Sequence, residues 1–377
     1  MGAVTIGKKD EIVMKLIHYF VTEENYRPII VNGVQNEIWL ENLESDIPLI
    51  RININYIHNE EQLNIDTIKA ERIRRTIKKK TYSTKMNLLN LLVDVRDDVK
   101  EFDDLKNIKT IKINKITDLK KNNFINDYFP NFNLKVHTKK ANMADIFEMT
   151  DELNNKTVED DKKLAKVFKN NQVPYVSMLF IILNVFVYLL SIVNYNWIVN
   201  TFANYYLYVR QGEFYRLFTS MFVHANIIHL ICNMYALFVV GPLIEKYYGK
   251  LKFTLIYIGS GIIGSLFSVV LTNNASIGAS GAIFGLFGAL LYFGYKYRAT
   301  LDGFLRSSIV PTLFVNLIIG FVIPGIDVIG HIGGLVGGLL LSYSVGVVNK
   351  ENKRERINGV VVLILMITFL VFMLMKK

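Results

Sequence analysis

The chain of 377 residues is 51% hydrophobic, with a mean hydropathy of +0.28 and a net charge of +10. Basic charge is the only sign of nucleic-acid binding, and membrane proteins concentrate Lys and Arg on their cytoplasmic side, so we expect no nucleic-acid partner. The single cysteine, Cys232, excludes an intrachain disulfide and a multi-cysteine zinc site. We expect no cofactor and no catalytic metal. Residues 1–30 lack an uninterrupted apolar core, so no cleavable signal peptide is expected.

The hydrophobic residues are unevenly distributed along the chain. Residues 1 to about 172 are rich in lysine, whereas the remainder is a series of long apolar runs. This asymmetry predicts a small soluble α/β or α+β domain at 1–140, followed by a polytopic α-helical membrane domain. Residues 141–174 are charged and amphipathic, which predicts a helical linker between the two.

The soluble part carries short patterns typical of a mixed domain. Residues 61–80 have a helical pattern that ends in a basic cluster. Between Leu49 and Ile57, Ile50 and Ile52 alternate with Arg51 and Asn53, as in a strand. We predict strands at residues 15–20, 37–41, 49–57, 88–95 and 108–116.

Two features leave the role of the soluble domain open. The basic cluster fits either a solvated helix face or contact with anionic lipid headgroups. Neighbouring carboxylates could hold a divalent cation, although scattered surface carboxylates are more often solvated. These carboxylates are Glu37, Glu41, Glu44 and Asp46. The sequence does not decide whether this domain binds a cytosolic ion or another membrane protein.

Seven apolar runs follow and predict seven transmembrane helices in the lipid bilayer. Six of them make up residues 175–348, and the last is an additional C-terminal helix within 349–377. The runs lie at about 175–193, 226–244, 253–271, 280–295, 309–323, 328–348 and 357–375.

The connectors between the runs predict an orientation. Lys and Arg precede the first run and follow the second, fourth and sixth, which places these groups on one side of the bilayer. That side is expected to be cytoplasmic, with the soluble domain on it, in a multi-pass protein of the cell membrane. The opposite loops, 272–278 and 324–327, carry Asp327 as their only charge. The long connector 194–225 is rich in aromatic residues, which predicts a position in the outer leaflet.

Polar side chains meet at one depth in this apolar half. Ser280 begins the fourth run, and His331 and His229 lie about one turn inside the sixth and second. At ~1.5 Å per residue these three fall within roughly 5 Å of one level. Asn233 follows His229 by four residues and shares its helix face. Each feature alone has a purely structural explanation, but together they indicate a site, because polar groups in lipid are costly.

These residue types can carry acyl transfer. A serine hydroxyl needs a base to become a nucleophile, and His331 is the available one. No carboxylate in the neighbouring helices is placed to orient this histidine, so we predict a dyad rather than a triad. The Ser280 N–H, His229 and Asn233 can donate hydrogen bonds to a developing oxyanion.

The membrane half resembles the rhomboid family of intramembrane serine proteases over about residues 175–348. The motifs that match are Gly278-Ala279-Ser280-Gly281, His331 before a glycine pair, and the set His224, His229 and Asn233. Glu213, Arg216 and Thr219 also match, in the connector 194–225, which is the first loop of the membrane half. The resemblance implies that Ser280 is the nucleophile and His331 the general base. It places His229 and Asn233 at the oxyanion hole, together with the Ser280 N–H.

The resemblance implies further roles and has three departures. Site-shaping residues are expected at Gly278, Gly281, Phe284 and His224. Loop-structuring residues are expected at Glu213, Arg216 and Thr219. Tyr215, Phe284 and Gly330 stand where the family usually has Trp, Tyr and Ala. The departures keep a ring or a small side chain, so fine positioning is affected and the chemistry is not.

The resulting expectation is a serine endopeptidase that hydrolyses transmembrane proteins near the outer ends of their helices. One rival is a proteolytically inactive rhomboid-like protein that binds membrane clients. A second rival is a transporter, which would need ionisable groups spread through the bilayer depth rather than gathered at one level.

Overall fold

The computed structural model describes residues 7–81, 83–99, 105–136, 138–169, 173–297, 311, 315, 326–347 and 353–376. The chain folds as two compact units, Met1–Lys162 and Lys163–Lys377.

The first unit is built on a five-stranded mixed sheet whose strand order follows the chain. Its strands are β1 (Arg27–Ile29), β2 (Glu37–Glu41), β3 (Leu49–Asn53), β4 (Leu88–Leu92) and β5 (Ile108–Lys112). β1, β2 and β3 pair antiparallel, whereas β3, β4 and β5 pair parallel. A parallel pair needs a crossover, and α2 (Glu60–Lys80) provides it between β3 and β4. The predicted mixed domain is confirmed.

The strand predicted at residues 15–20 is wrong, because this segment lies in helix α1 (Lys8–Thr22). Leu16, Tyr19 and Phe20 are buried at a spacing of three to four residues, which is a helical stripe. A short apolar run does not distinguish the two structures. The remaining helices of this unit are α3 (Ile116–Lys120), α4 (Asn123–Tyr128) and α5 (Phe132–Lys135), and α6 (Met143–Lys169) continues from it into the second unit.

β3 is buried on both faces. Ile50 and Ile52 pack in the core cluster that contains α1, whereas Leu49 packs with Ala70 of α2. The polar residue Arg51 also lies on the covered side and has no exposed surface. The predicted alternation of side chains in β3 is therefore present. The face that carries Arg51 is covered by α2 and is not exposed to solvent.

Arg51 is neutralised by two carboxylates. Its two terminal nitrogens donate to Asp66 at 2.6 Å, and its Nε donates to Glu37 at 2.9 Å. Lys69 also donates to Glu37. Burial alone would raise the pKa of Glu37, but the hydrogen bonds from Arg51 and Lys69 outweigh it and lower this pKa to about 2. Within the described ranges no three acidic, His or Cys side chains gather as a metal site, and Glu37 is occupied by cations of the chain itself.

The second unit is a helical membrane domain, as predicted. Its long helices are α7 (Tyr175–Val193), α11 (Ile227–Tyr248), α12 (Lys250–Leu271), α13 (Ser280–Lys296), α14 (Val328–Val345) and α15 (Lys353–Lys376). Five of them, all except α13, are long and apolar enough to cross a membrane. α13 has 17 residues and is buried along most of its length. The run predicted at 309–323 falls outside the described residues apart from 311 and 315, so the number seven stays a prediction.

Short helices fill the connector between α7 and α11. They are α8 (Tyr195–Phe202), α9 (Tyr206–Arg210), α10 (Arg216–Thr219) and a 3-10 turn at Ser220–Phe222.

α13 and α14 touch along their backbones. A Cβ on Gly334 would overlap the carbonyl of Gly281, and a Cβ on Gly338 would overlap the carbonyl of Gly285. On the side of α12, a Cβ on Gly264 would lie 2.7 Å from the Gly330 oxygen. Small residues let helices approach this closely in lipid. This packing brings the start of α13 against the start of α14.

Candidate active site

Ser280 is the first residue of α13 and is half-buried. The turn before it is fixed by Gly278, which has φ +114° and donates its N–H to the Ser220 oxygen at 2.9 Å. A side chain at Gly278 would be strained in this conformation. The first backbone N–H groups of a helix have no partner within the helix, and the helix dipole makes this end positive. The position therefore favours a negative charge beside Ser280.

His331 lies in the first turn of α14 and is 7% exposed. Its ring stacks on Phe284 of α13, with centroids 4.3 Å apart and planes 14° apart. Phe284 follows Ser280 by four residues, so both lie on the same face of α13. One helix thus carries the serine and the aromatic ring that holds the histidine.

His229 and Asn233 approach the same turn from α11. A Cβ on Gly278 would lie 2.7 Å from the His229 ring and 3.7 Å from the Asn233 amide nitrogen. Asn233 also donates to the His229 carbonyl at 3.0 Å. The absence of a side chain on Gly278 therefore lets both side chains reach the backbone that leads into Ser280.

His224 lies behind His229. It has no exposed surface, and its ring centroid is 5.1 Å from that of His229. The two rings pack edge to face, an arrangement that aromatic pairs prefer. His224 therefore contacts His229 and is not among the residues that line the cleft.

Ser280 and His331 line one cleft of about 260 Å³, a volume that includes space open to solvent. The described residues contain no hydrogen bond between the serine hydroxyl and the histidine ring. Catalytic hydrogen bonds often form only when substrate is bound, so the pair remains compatible with a nucleophile and its base. The cleft is lined by Met221, Gly261, Gly264, Ser265, Ser276, Gly278, Ser280, Gly281, Ala282, Asp327, Gly330 and His331.

Gly281 follows Ser280 directly, but the space around it would accept a side-chain carbon. A Cβ there would lie 3.6 Å from the Gly330 oxygen, an ordinary contact distance. The close contact between the backbones of α13 and α14 instead requires a glycine at position 334 of α14, where a Cβ would overlap the Gly281 carbonyl.

Arg216 is the centre of the first loop. It donates to Glu213 at 2.7 Å and to the Ala203 carbonyl at 3.0 Å, and its guanidinium lies 4.5 Å from the Tyr208 ring centroid. Tyr215, which stands where the family usually has Trp, donates to the same Glu213 carboxylate at 2.9 Å. Hydrogen bonds from Arg216 and Tyr215 lower the pKa of Glu213. Arg216 thus ties three parts of the loop together.

Thr219 continues this network. Its hydroxyl donates to the Phe202 carbonyl at 3.1 Å, which links α10 to the end of α8. The three loop residues singled out from the sequence therefore form one connected set of hydrogen bonds.

The sequence analysis missed two features of the site. Asn204 and Ser276 exchange backbone hydrogen bonds of 3.1 and 3.0 Å, which anchors the loop to the turn before Ser280. Asp327 lines the cleft and caps α14, with its Oδ1 accepting from the Gly330 N–H at 2.8 Å. The spacing of four residues between Asp327 and His331 could have indicated this proximity.

The chain has clear relatives among known proteins. The model of the rhomboid domain matches residues 211–348. Rhomboid protease GluP of Bacillus subtilis is 31% identical over 356 residues, which cover 89% of this chain and 69% of the relative. Putative rhomboid protease YdcA of the same organism is 38% identical over 41% of this chain and 78% of its own length. RHOMBOID-like protein 6, mitochondrial, of Arabidopsis thaliana is 39% identical over 36% of this chain and 45% of its own length.

The match to GluP extends through the soluble half as well as the membrane helices, since it covers most of the chain. Together with the cleft between α13 and α14, it identifies the protein as a multi-pass membrane protein that belongs to the rhomboid family.

Proposed function

We propose that this protein is an intramembrane serine endopeptidase in which Ser280 is the nucleophile and His331 the general base. The observation that carries the proposal is the shared cleft: both residues line it, and Phe284 stacks on the histidine ring. The names of the bacterial relatives, Rhomboid protease GluP and Putative rhomboid protease YdcA, support the same chemistry.

The reaction proceeds in two halves. His331 takes the Ser280 hydroxyl proton as the serine oxygen attacks the substrate carbonyl carbon, which gives a tetrahedral oxyanion. The C–N bond then breaks, and the imidazolium gives the proton to the departing amine. A water molecule, deprotonated by His331, hydrolyses the acyl-enzyme ester and restores Ser280.

The oxyanion needs donors that are already in place. We assign this role to the Ser280 N–H, the His229 ring and the Asn233 amide. The support is geometric, because His229 and Asn233 both face Gly278, two residues before Ser280. The positive end of α13 adds to the stabilisation.

The other predicted residues support this arrangement. Gly278 gives His229 room, His224 backs His229, and Phe284 holds His331. Gly281 lies in the cleft wall. Glu213, Arg216 and Thr219 stiffen the loop, and Asn204 of the same loop pairs with the turn before Ser280.

The substrates are transmembrane proteins. Carbonyl groups within a helix are already hydrogen-bonded, so a substrate helix has to unwind locally before Ser280 can attack. Substrates with small or helix-breaking residues near the cut are therefore favoured. The distribution of Lys and Arg supports a cytoplasmic soluble domain, with the cleft opening to the extracellular side of the cell membrane. Cleavage is then expected near the outer ends of substrate helices.

We propose the same domain organisation for this protease as the sequence predicts. It comprises a soluble domain at 1–140, a linker at 141–174, a protease core at 175–348 and an added helix within 349–377. The described helices α6, Met143–Lys169, and α15, Lys353–Lys376, fall within the linker and the last segment.

Labelling with a fluorophosphonate tests the nucleophile directly. The detergent-purified protein is treated with the probe, and the modified peptide is identified by mass spectrometry. We expect the adduct on Ser280, and its loss in Ser280→Ala and His331→Ala. An unlabelled wild type that is folded and retains binding to transmembrane clients would support the client-binding rival instead.

A further inference from the structure

The carboxylate of Asp327 is only half used by its structural role. One oxygen, Oδ1, accepts the Gly330 N–H at 2.8 Å and so caps α14. The other oxygen, Oδ2, is buried and has no hydrogen-bond partner among the residues that the structure describes. A buried carboxylate oxygen without a partner is costly, so such atoms normally have one.

A second buried atom without a partner lies on the same helix. Nδ1 of His331 has no hydrogen-bond partner within the described ranges. Asp327 is the N-cap residue of α14, and the His331 N–H donates to the Asp327 carbonyl at 3.1 Å, so the two residues lie one helical turn apart. Both line the cleft that contains Ser280.

The charges around His331 single out Asp327. Of the described residues that line the cleft, Asp327 and His331 are the two with ionisable side chains. α13 presents Ser280 and Phe284 to this region, neither of them charged. From α11, His229 also interacts electrostatically with His331. Asp327 is therefore the negative group placed to stabilise a protonated His331.

We propose that Asp327 is a positioning residue for His331, with its Oδ2 joined to the Nδ1–H of the ring through one ordered water in the cleft. A polar gap longer than a direct hydrogen bond is commonly bridged in this way. The bridge keeps the ring proton on Nδ1, which leaves Nε2 free to accept the Ser280 hydroxyl proton. The negative charge then stabilises the imidazolium that forms. This inference rests on the proposed function and extends the predicted dyad by a water-linked carboxylate.

The alternative is that Asp327 serves only as a helix cap. Asn and Ser cap helices about as well as Asp, but neither carries a charge. Asp327→Asn and Asp327→Ser therefore keep the cap and remove the charge, whereas Asp327→Ala removes both. The four proteins together separate the two roles.

The experiment uses the full-length protein in detergent micelles. Three quantities are measured for the wild type and each variant: the melting temperature, the rate of fluorophosphonate labelling at Ser280, and the kcat and KM for a fluorogenic transmembrane peptide. We expect Asn and Ser variants to melt close to the wild type while labelling and kcat fall by about tenfold or more with KM little changed. The Ala variant should lose both stability and rate.

Wild-type labelling and kcat in both cap-retaining variants would overturn the inference and leave the proposed function intact. Loss of melting temperature in proportion to the loss of rate across all three variants would also overturn it, because a cap alone explains that pattern. A folded wild type that is neither labelled nor active would overturn the proposed function, and this inference with it.

Discussion

Phe284 and His331 lie face to face, with ring centroids 4.3 Å apart and planes 14° apart. The stacked ring restricts the rotation of the histidine, so Phe284 decides where the nitrogens of the ring can point. Both residues are buried, and Phe284 is attached to the helix that also carries Ser280. The serine and the support of its base therefore move as one rigid element.

The first prediction concerns this stacking. We expect Phe284→Ala to lower kcat about 100-fold, because the freed ring leaves its reactive position. Phe284→Tyr should stay close to the wild type, since the ring is kept. Phe293→Ala is the matched control: it removes another buried Phe from the same helix, away from the cleft. Equal losses of kcat per folded molecule in Phe284→Ala and Phe293→Ala would contradict the assignment.

The second prediction compares two glycines with the same type of backbone. Gly278 and Gly212 have φ +114° and +102°, but only at Gly278 would a Cβ meet other atoms, namely the His229 ring at 2.7 Å. Gly278→Ala should therefore displace the oxyanion donors and lower kcat by at least about 100-fold.

Gly212→Ala carries the backbone strain without the collision. We expect kcat within about threefold of the wild type, because a strain of about 1–3 kcal/mol acts mainly on folding. Steady-state cleavage of a transmembrane peptide by both variants gives the comparison. If Gly212→Ala lost as much activity as Gly278→Ala, backbone strain rather than room for His229 would be the cause.

The third prediction concerns which glycine the contact between α13 and α14 requires. Gly334→Ala would force a methyl group into the Gly281 carbonyl, so we expect destabilisation of about 1–3 kcal/mol. Gly281→Ala meets its nearest described neighbour at 3.6 Å and should melt close to the wild type. Thermal unfolding of the two variants in one detergent is the measurement. A larger loss in Gly281→Ala would show that the contact between α13 and α14 is misassigned.

The fourth prediction is a pH dependence in the soluble unit. The pKa of Glu37 is about 2 in the folded chain, against an ordinary value of 4.5. A lowered carboxyl pKa adds stability that is fully present above pH 4.5 and is lost as the pH falls towards 2. Glu37→Gln should thus cost about 2–3 kcal/mol at pH 7 and progressively less as the pH approaches 3.

Trp39 provides the readout for this experiment, since it lies on β2 and its indole N–H donates to Glu37. Urea unfolding is followed by its fluorescence in a Trp197→Phe background, which removes the other of the two tryptophans. Lys9 pairs with Asp94 at the surface, so Asp94→Asn is a control with little expected effect. A cost of Glu37→Gln that does not change between pH 7 and pH 3 would contradict the account.

The order of structure along the chain was predictable where the patterns are long. The membrane helices follow from hydrophobic runs, the strand at Leu49–Asn53 follows from alternation, and the helix at Glu60–Lys80 follows from its periodicity. The error at residues 15–20 arose because six residues do not distinguish a strand from one face of a helix. The burial of Arg51 could not be predicted from the sequence either, because it depends on α2 lying over the sheet and supplying Asp66.

The candidate site was predictable in its members but not in its geometry. Ser280, His331, His229 and Asn233 stand out because polar groups are rare in apolar runs. The collision that keeps Gly278 free of a side chain appears only when α11 and α13 are placed together. Asp327 was read as a loop charge, because the sequence does not reveal that one of its oxygens caps α14 and the other is buried.

The central claim is that Ser280 cuts peptide bonds in transmembrane substrates. The direct measurement is cleavage of a fluorogenic transmembrane peptide in liposomes by the wild type and by Ser280→Ala, with Ser265→Ala as a control for a second serine that lines the cleft. We predict cleavage by the wild type and by Ser265→Ala, and none by Ser280→Ala. Cleavage by Ser280→Ala at the wild-type rate, or no cleavage of any helix by folded wild type, would contradict the claim.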